Sequence, residues 1–228
     1  MLVSGHSFTL GGMSPDRRRA PRMAPDERRA AIVAAAGPLF RRHGAAVTTR
    51  QIAEAADIAE GTIFRVFPDK ESVIQAVVAE AFDQSPTLRE LAAINRALPF
   101  RDRLTAAVTV LQKRVSDVFG LLGALGWMRG APPERKPPNG YRHRQPDYDD
   151  EAERDFRDAV VGVVGPDECR LRVPAAELAH VMKMLVFSAT HPLICAGRPM
   201  SAEQIVTLLL DGLLDESAPA APTTTEDP

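Results

Sequence analysis

The sequence predicts an all-α protein, and three observations carry that reading. Alanine and leucine abound, while aromatic residues make up only 5% of the chain, a balance that favours helix over sheet. Apolar residues recur at three-and-four spacing in segment after segment. No segment alternates apolar and polar residues as a half-buried strand would, and no internal repeat is present. With 228 residues, 45% of them hydrophobic, the chain can bury a core in one large domain or two smaller ones.

The elements follow in order. Residues 1–23 carry Arg17, Arg18, Arg19 and Arg22 and read as a disordered basic arm, either solvated or touching phosphates or the minor groove. From Pro25, the residues Ile32, Val33, Ala36, Leu39 and Phe40 form one stripe. Asp26 and Glu27 suit the positive start of that helix, and Arg41, Arg42 and His43 its negative end. Gly44 is a natural stop. Thr48 and Gln51 have the spacing of a capping box and open a second helix, with Ile52, Ala53 and Ala56 inward. Asp57-Ile58-Ala59 is a break. Glu60 to Phe67 reads as a third, short helix, ended by Pro68. Asp69 caps a fourth, whose stripe is Val73, Ile74, Val77, Val78, Ala81 and Phe82.

Beyond Gln84 the pattern changes. Phe100, Leu104, Val108, Leu111, Val115, Val118 and Phe119 mark a long amphipathic helix. Residues 130–149, rich in proline and charge, read as a mobile loop. Seven acids between Asp147 and Asp158 suit a helix start and a solvated face. Two last helices are expected, from about Pro174 to Ala196 with Pro192 kinking its end, and from Ser201 to about Asp215, lined by Ile205, Leu208, Leu209 and Leu213. Residues 217–228 read as a disordered tail.

Residues 1–70 hold 11 Lys and Arg against 7 Asp and Glu, whereas residues 71–228 hold 17 against 23. A basic front and an acidic body imply that the front faces an anion. No apolar run reaches membrane-span length, and residues 1–13 lack the basic start and long apolar stretch of a signal peptide. Cys169 and Cys195 read as free thiols, which together with the missing signal predicts a cytoplasmic protein. No cofactor, metal site or catalytic constellation is expected. His191 and Cys195 stand four residues apart, but Pro192 lies between them and no second pair is near.

The stretch "IVAAAGPLFRRHGAAVTTRQIAEAADIAEGTIFRVFPDKESVI" resembles the DNA-binding domain of the TetR family of transcriptional regulators. Its most specific parts are "TTRQIA", "GTIF" and "FPDKE", in that order and spacing. The resemblance covers Asp26 to Phe82, about a quarter of the chain. It implies a three-helix helix-turn-helix domain over 24–83, then a helical ligand-binding and dimerisation body over 84–216. It implies a homodimer on a pseudo-palindromic operator, dimerised through its last two helices. A small, largely apolar ligand bound in the body would shift the recognition helices and release the DNA.

The residues placed at DNA are Thr48, Thr49, Arg50, Gly61, Thr62, Phe64, Arg65 and Lys70. Gly61 has no side chain to hold the DNA backbone away. Thr62 and Lys70 sit at helix starts that suit a phosphate. Arg65 lies four residues after Gly61 on the same face and is the candidate for guanine O6 and N7. Arg50 reads as a contact to a base edge or a phosphate. Taken singly, Gly61 is also explained by packing, and Lys70 by solvation.

Four positions depart from the family pattern. Asp57 stands where glycine is usual, Ala59 where a hydroxyl residue caps, Glu60 where a basic residue is common, and Phe64 where tyrosine is frequent. Together they predict weaker phosphate anchoring by the third helix.

In the body, Phe119, Trp127, Met182 and Phe187 are candidate pocket residues, since methionine and aromatics suit an adaptable apolar site. The same residues suit an ordinary core. Two other functions compete with a ligand-responsive repressor. One is a helix-turn-helix regulator controlled by a protein partner docking on 130–149. The other is an all-helical enzyme or lipid carrier, for which no nucleophile–base pair, phosphate loop or paired metal motif speaks.

Overall fold

The computed structural model describes residues 24–128 and 150–212. The expected arm, the 130–149 loop and the 217–228 tail lie outside these residues, as do Asp147, Asp149 and Leu213. The described residues form α-helices joined by turns and two short 3-10 segments, with no strand among them.

The front holds α1 (Pro25–His43), α2 (Thr49–Ala55), α3 (Glu60–Ile63) and α4 (Lys70–Phe82). Their local signals act as expected. Glu27 accepts a hydrogen bond from the Ala24 amide at 3.0 Å. Thr48 Oγ1 accepts from the Gln51 amide at 3.2 Å, and Gln51 Oε1 accepts from the Thr48 amide at 2.8 Å. Two otherwise orphaned donors are thereby satisfied reciprocally. Asp69 Oδ1 accepts from the Ser72 amide at 2.7 Å and caps α4. The third helix is shorter than expected: it ends at Ile63, and Phe64 to Val66 form a turn that leads to Pro68. A fully buried set of Ile32, Phe40, Ile52, Ile63, Phe67 and Val73 fills this front core.

The body holds α5 (Ser85–Ala92), α6 (Phe100–Ala124), α7 (Asp150–Val164), α8 (Ala175–Thr190) and α9 (Ala202–Leu210). The sequence reading has no helix at α5. Its signal is short: Asp83 Oδ1 accepts from the Ser85 amide at 2.9 Å and Pro86 follows in the first turn, where a missing N–H costs nothing. The expected helix from Pro174 to Ala196 stops at Thr190, before Pro192, instead of kinking through it. There the residue before proline leaves helical geometry: His191 has ψ 122°. Ser201 caps α9 by accepting from the Gln204 amide at 3.2 Å.

The apolar side chains pack as two clusters. One joins Leu91, Leu104, Val160, Met182, Ile205 and their neighbours from α5 to α9. The other is the front core, and it recruits Val118, Leu121, Leu122 and Leu125 from the far end of α6. The α6 helix thus completes the front core as well as its own. Arg103, 6% exposed, pins the body together. It donates to the carbonyls of Val163 at 3.1 Å and Val164 at 3.0 Å, and to the carboxylate of Asp167 at 2.5 Å. A buried charge with this many acceptors is held without leaving an unsatisfied donor. Among the described residues no helix is long and apolar enough to cross a membrane. Cys169 and Cys195 are free.

Candidate nucleic-acid interface

The break between α2 and α3 turns on Asp57, whose φ is +52°. A left-handed residue is needed to reverse the chain between two helices in so few residues, and aspartate tolerates it better than most non-glycine residues. The Ile58 amide donates to Ala53 O at 3.0 Å and closes the turn. Ile52 and Ile63 point into the core on either side of it. The opposite faces of α2 and α3 are left to solvent.

The eight candidate residues divide by what already holds them. Thr48 is the α2 cap, with its hydroxyl engaged by Gln51. Thr49 Oγ1 donates to Glu60 Oε1 at 2.5 Å, across the turn. Arg50 Nε donates to Glu54 Oε1 at 2.9 Å, one helical turn along. That bond raises the Arg50 pKa above its ordinary value, with the Glu54 charge and, further off, the Glu60 charge adding to it. Lys70 Nζ donates to Ala45 O at 2.8 Å and Val47 O at 3.2 Å. Its ammonium ties the start of α4 to the turn after α1, so simple solvation does not describe it; one of its three N–H groups is left over.

The other four are unencumbered. Arg65 is exposed and its guanidinium has no partner among the described residues. The Thr62 hydroxyl likewise has none. Phe64 is 52% exposed, so it does not serve the core. A Cβ built on Gly61 would meet no atom within 4 Å, which removes packing as the reason for glycine there. Free groups therefore gather on α3 and the turn after it, while the engaged ones lie at α2 and the start of α4.

The four body candidates are not brought together. Phe119 and Phe187 meet edge to face with ring centroids 5.6 Å apart. Both line a cleft of about 270 Å³ between α6, α7 and α8, with Leu111, Val115, Phe156 and Val186. His191 packs against the same pair, edge-on to Phe119 with ring centroids 4.1 Å apart. Met182 is instead fully buried in the body core. Trp127 packs on the front cluster, because the chain turns after Ala124 and carries it there. Sequence reasoning missed Arg114 and the Glu153–Lys183 pair in the cleft wall. Their helical spacing puts them on α6, α7 and α8, but nothing local marks them as neighbours.

Residues 32–77 match the family model described as bacterial regulatory proteins, tetR family. The front of the chain is thus similar to the regulatory domain of the tetR family. A TetR/AcrR-family regulator from Thermobifida fusca has a similar structure, 23% identical, with a TM-score of 0.53 over 82% of this chain and 99% of that one. A tetR-family regulator from Streptomyces coelicolor is 20% identical over 82% and 79%, with a TM-score of 0.48. NalD of Pseudomonas aeruginosa, a secondary repressor of a multidrug efflux pump, is 18% identical over 84% and 99%, with a TM-score of 0.45. No curated protein sequence matches the chain.

The positions where the front of this chain departs from the common tetR pattern have structural answers. Asp57 supplies the left-handed turn. Ala59 provides no side-chain cap, and its extended backbone alone starts α3. Glu60 is drawn back onto Thr49, which takes up part of its charge at the interface.

Proposed function

We propose that the protein is a dimeric repressor that binds a pseudo-palindromic operator and is released by a small ligand with a largely apolar body. The observation that carries this is the cluster of Gly61, Thr62, Phe64 and Arg65. Gly61, Phe64 and Arg65 are exposed and Thr62 is half-buried beside them, on a helix-turn-helix frame, and the side-chain polar groups of Thr62 and Arg65 have no partner within the described residues. A guanidinium held free in this place suits the O6 and N7 acceptors of guanine. The exposed Phe64 ring suits a thymine methyl group. Lys70 has one N–H to offer a phosphate, and Thr48, Thr49 and Arg50 stand beside α3 to steady the backbone.

Dimerisation is assigned to α8 and α9. Val181 and Met184 expose 43% and 57% of their surface along α8, and Leu193 and Ile194 are exposed apolar residues just beyond its end. A patch of this kind on one side of a helical body is the usual mark of a partner surface. The reading unit is taken as residues 24–83 and the ligand-binding and dimerisation body as 84–216. The cleft between α6, α7 and α8 is the proposed effector site.

Selection of duplexes from random DNA by the purified protein tests the reading. The expected product is an inverted repeat whose half-sites lie one helical turn or a multiple apart, bound with an affinity that falls steeply with salt. Enrichment of no sequence, or of a lone half-site, would overturn it.

A further inference from the structure

We propose that the cleft between α6, α7 and α8 takes an amphipathic carboxylate, whose acid group pairs with Arg114. This rests on the reading of the cleft as the effector site and adds the charge of the effector. Eight of its lining residues are apolar, among them Leu111, Val115, Phe119, Phe156, Val186 and Phe187. Three charged residues interrupt that wall: Arg114, Glu153 and Lys183. Glu153 and Lys183 form an ion pair with each other, so their charges cancel. Arg114 is the charge left over. The Asp83 carboxylate is near enough for its charge to act on Arg114, but the guanidinium bonds to no carboxylate among the described residues. Its Nη1 and Nη2 donate instead to main-chain carbonyls, Asp83 O at 2.6 Å and Phe82 O at 2.8 Å.

Arg114 is half-buried, and burial lowers its pKa from the ordinary arginine value, with the Asp83 charge opposing. Arginine stays protonated all the same. An apolar wall beside a partly desolvated guanidinium that has no carboxylate bonded to it favours a ligand with an apolar body and one anionic end. A planar carboxylate matches the guanidinium fork, which has five N–H groups. The about 270 Å³ of space admits a two-ring aromatic acid.

The same contact reaches the reading unit. Phe82 closes α4 and Asp83 follows it, so Arg114 holds the end of the helix that Lys70 begins. A carboxylate that draws the guanidinium into the cleft competes with those two carbonyls and loosens the last turn of α4.

The test uses the full-length protein and calorimetric titration with naphthoate, naphthylmethanol and naphthylmethylamine of one ring isomer. Naphthoate is expected to bind roughly ten- to a hundredfold tighter than the alcohol, and the amine more weakly than either. Arg114→Gln should bring naphthoate down to the alcohol and leave the alcohol unchanged, whereas Arg114→Lys should keep part of the preference. Hydrogen exchange of the Asp83 amide should quicken when naphthoate is bound. If Arg114→Gln does not fold, the three probes on the native protein and on Arg114→Lys decide the question. Equal binding of acid and alcohol, or a preference that survives in Arg114→Gln, would overturn the charge assignment while leaving the effector cleft standing. Binding of none of the three would overturn the cleft reading itself.

Discussion

A Cβ placed on Gly44 would lie 2.2 Å from the carbonyl oxygen of Ala124. The contact joins the end of α1 to the last turn of α6, so it sets how closely the front core sits on the helix that completes it. Gly44 also holds φ at +59°, a region that side chains enter at a cost.

Gly44→Ala is therefore expected to destabilise the protein by about 2–4 kcal/mol, the backbone strain adding to the displacement of Ala124. Denaturant unfolding measures it. A loss below about 0.5 kcal/mol would mean that α6 moves aside freely and the contact does not fix the two cores.

Gly61→Ala should act in the opposite way on the fold. Its Cβ has open space, and alanine in a helix is better than glycine by up to about 1 kcal/mol. Thermal stability is expected to hold or rise while DNA affinity falls, because the methyl group keeps the DNA backbone away. Unchanged affinity would remove Gly61 from the interface.

Arg65 and Lys70 are expected to part company when each becomes alanine. Arg65→Ala should leave the melting temperature alone, cost about 1–3 kcal/mol of binding and relax specificity at one base position. Lys70→Ala should weaken binding to all sequences alike. It should also destabilise the fold by about 1–3 kcal/mol, since Ala45 and Val47 lose a donor. Melts run beside binding curves on the selected operator separate the two. A sequence-blind effect of Arg65→Ala would refute its base-reading role.

Asp167 gives the body an acid-sensitive joint. Hydrogen bonds from Arg170 and then from Arg103 hold its carboxyl below the ordinary value of 3.8. A carboxylate with a depressed folded pKa contributes its stability above the unfolded value and loses it as pH falls through the folded one. Asp167→Asn should thus melt earlier than the native protein at neutral pH, and the gap should close as the pH drops below about 4. A gap that stays constant across that range would show that the joint is not electrostatic.

The parts of the fold that were legible in the sequence are those decided within a turn of helix. Thr48 with Gln51, Asp69 with Ser72, and Ser201 with Gln204 are three residues apart, so their spacing alone marks where helices begin. The short α5 escaped because eight residues give too little periodicity to stand out. Phe64 was ambiguous for a different reason: an aromatic residue after a short helix either packs or reads, and only its exposure tells which.

By itself, the sequence determined an all-α chain with a helix-turn-helix at its front, since helix caps, breaks and apolar stripes are local. The tertiary structure decided which charges are spent. Lys70 finds its acceptors 23 and 25 residues away, Arg103 finds carbonyls 60 and 61 away, and Arg114 reaches back 31 and 32 to the end of α4. It also split the expected pocket, sending Met182 to the body core and Trp127 to the front. The availability of a cation or an aromatic ring depends on partners brought near by packing, and a one-dimensional pattern does not contain that distance.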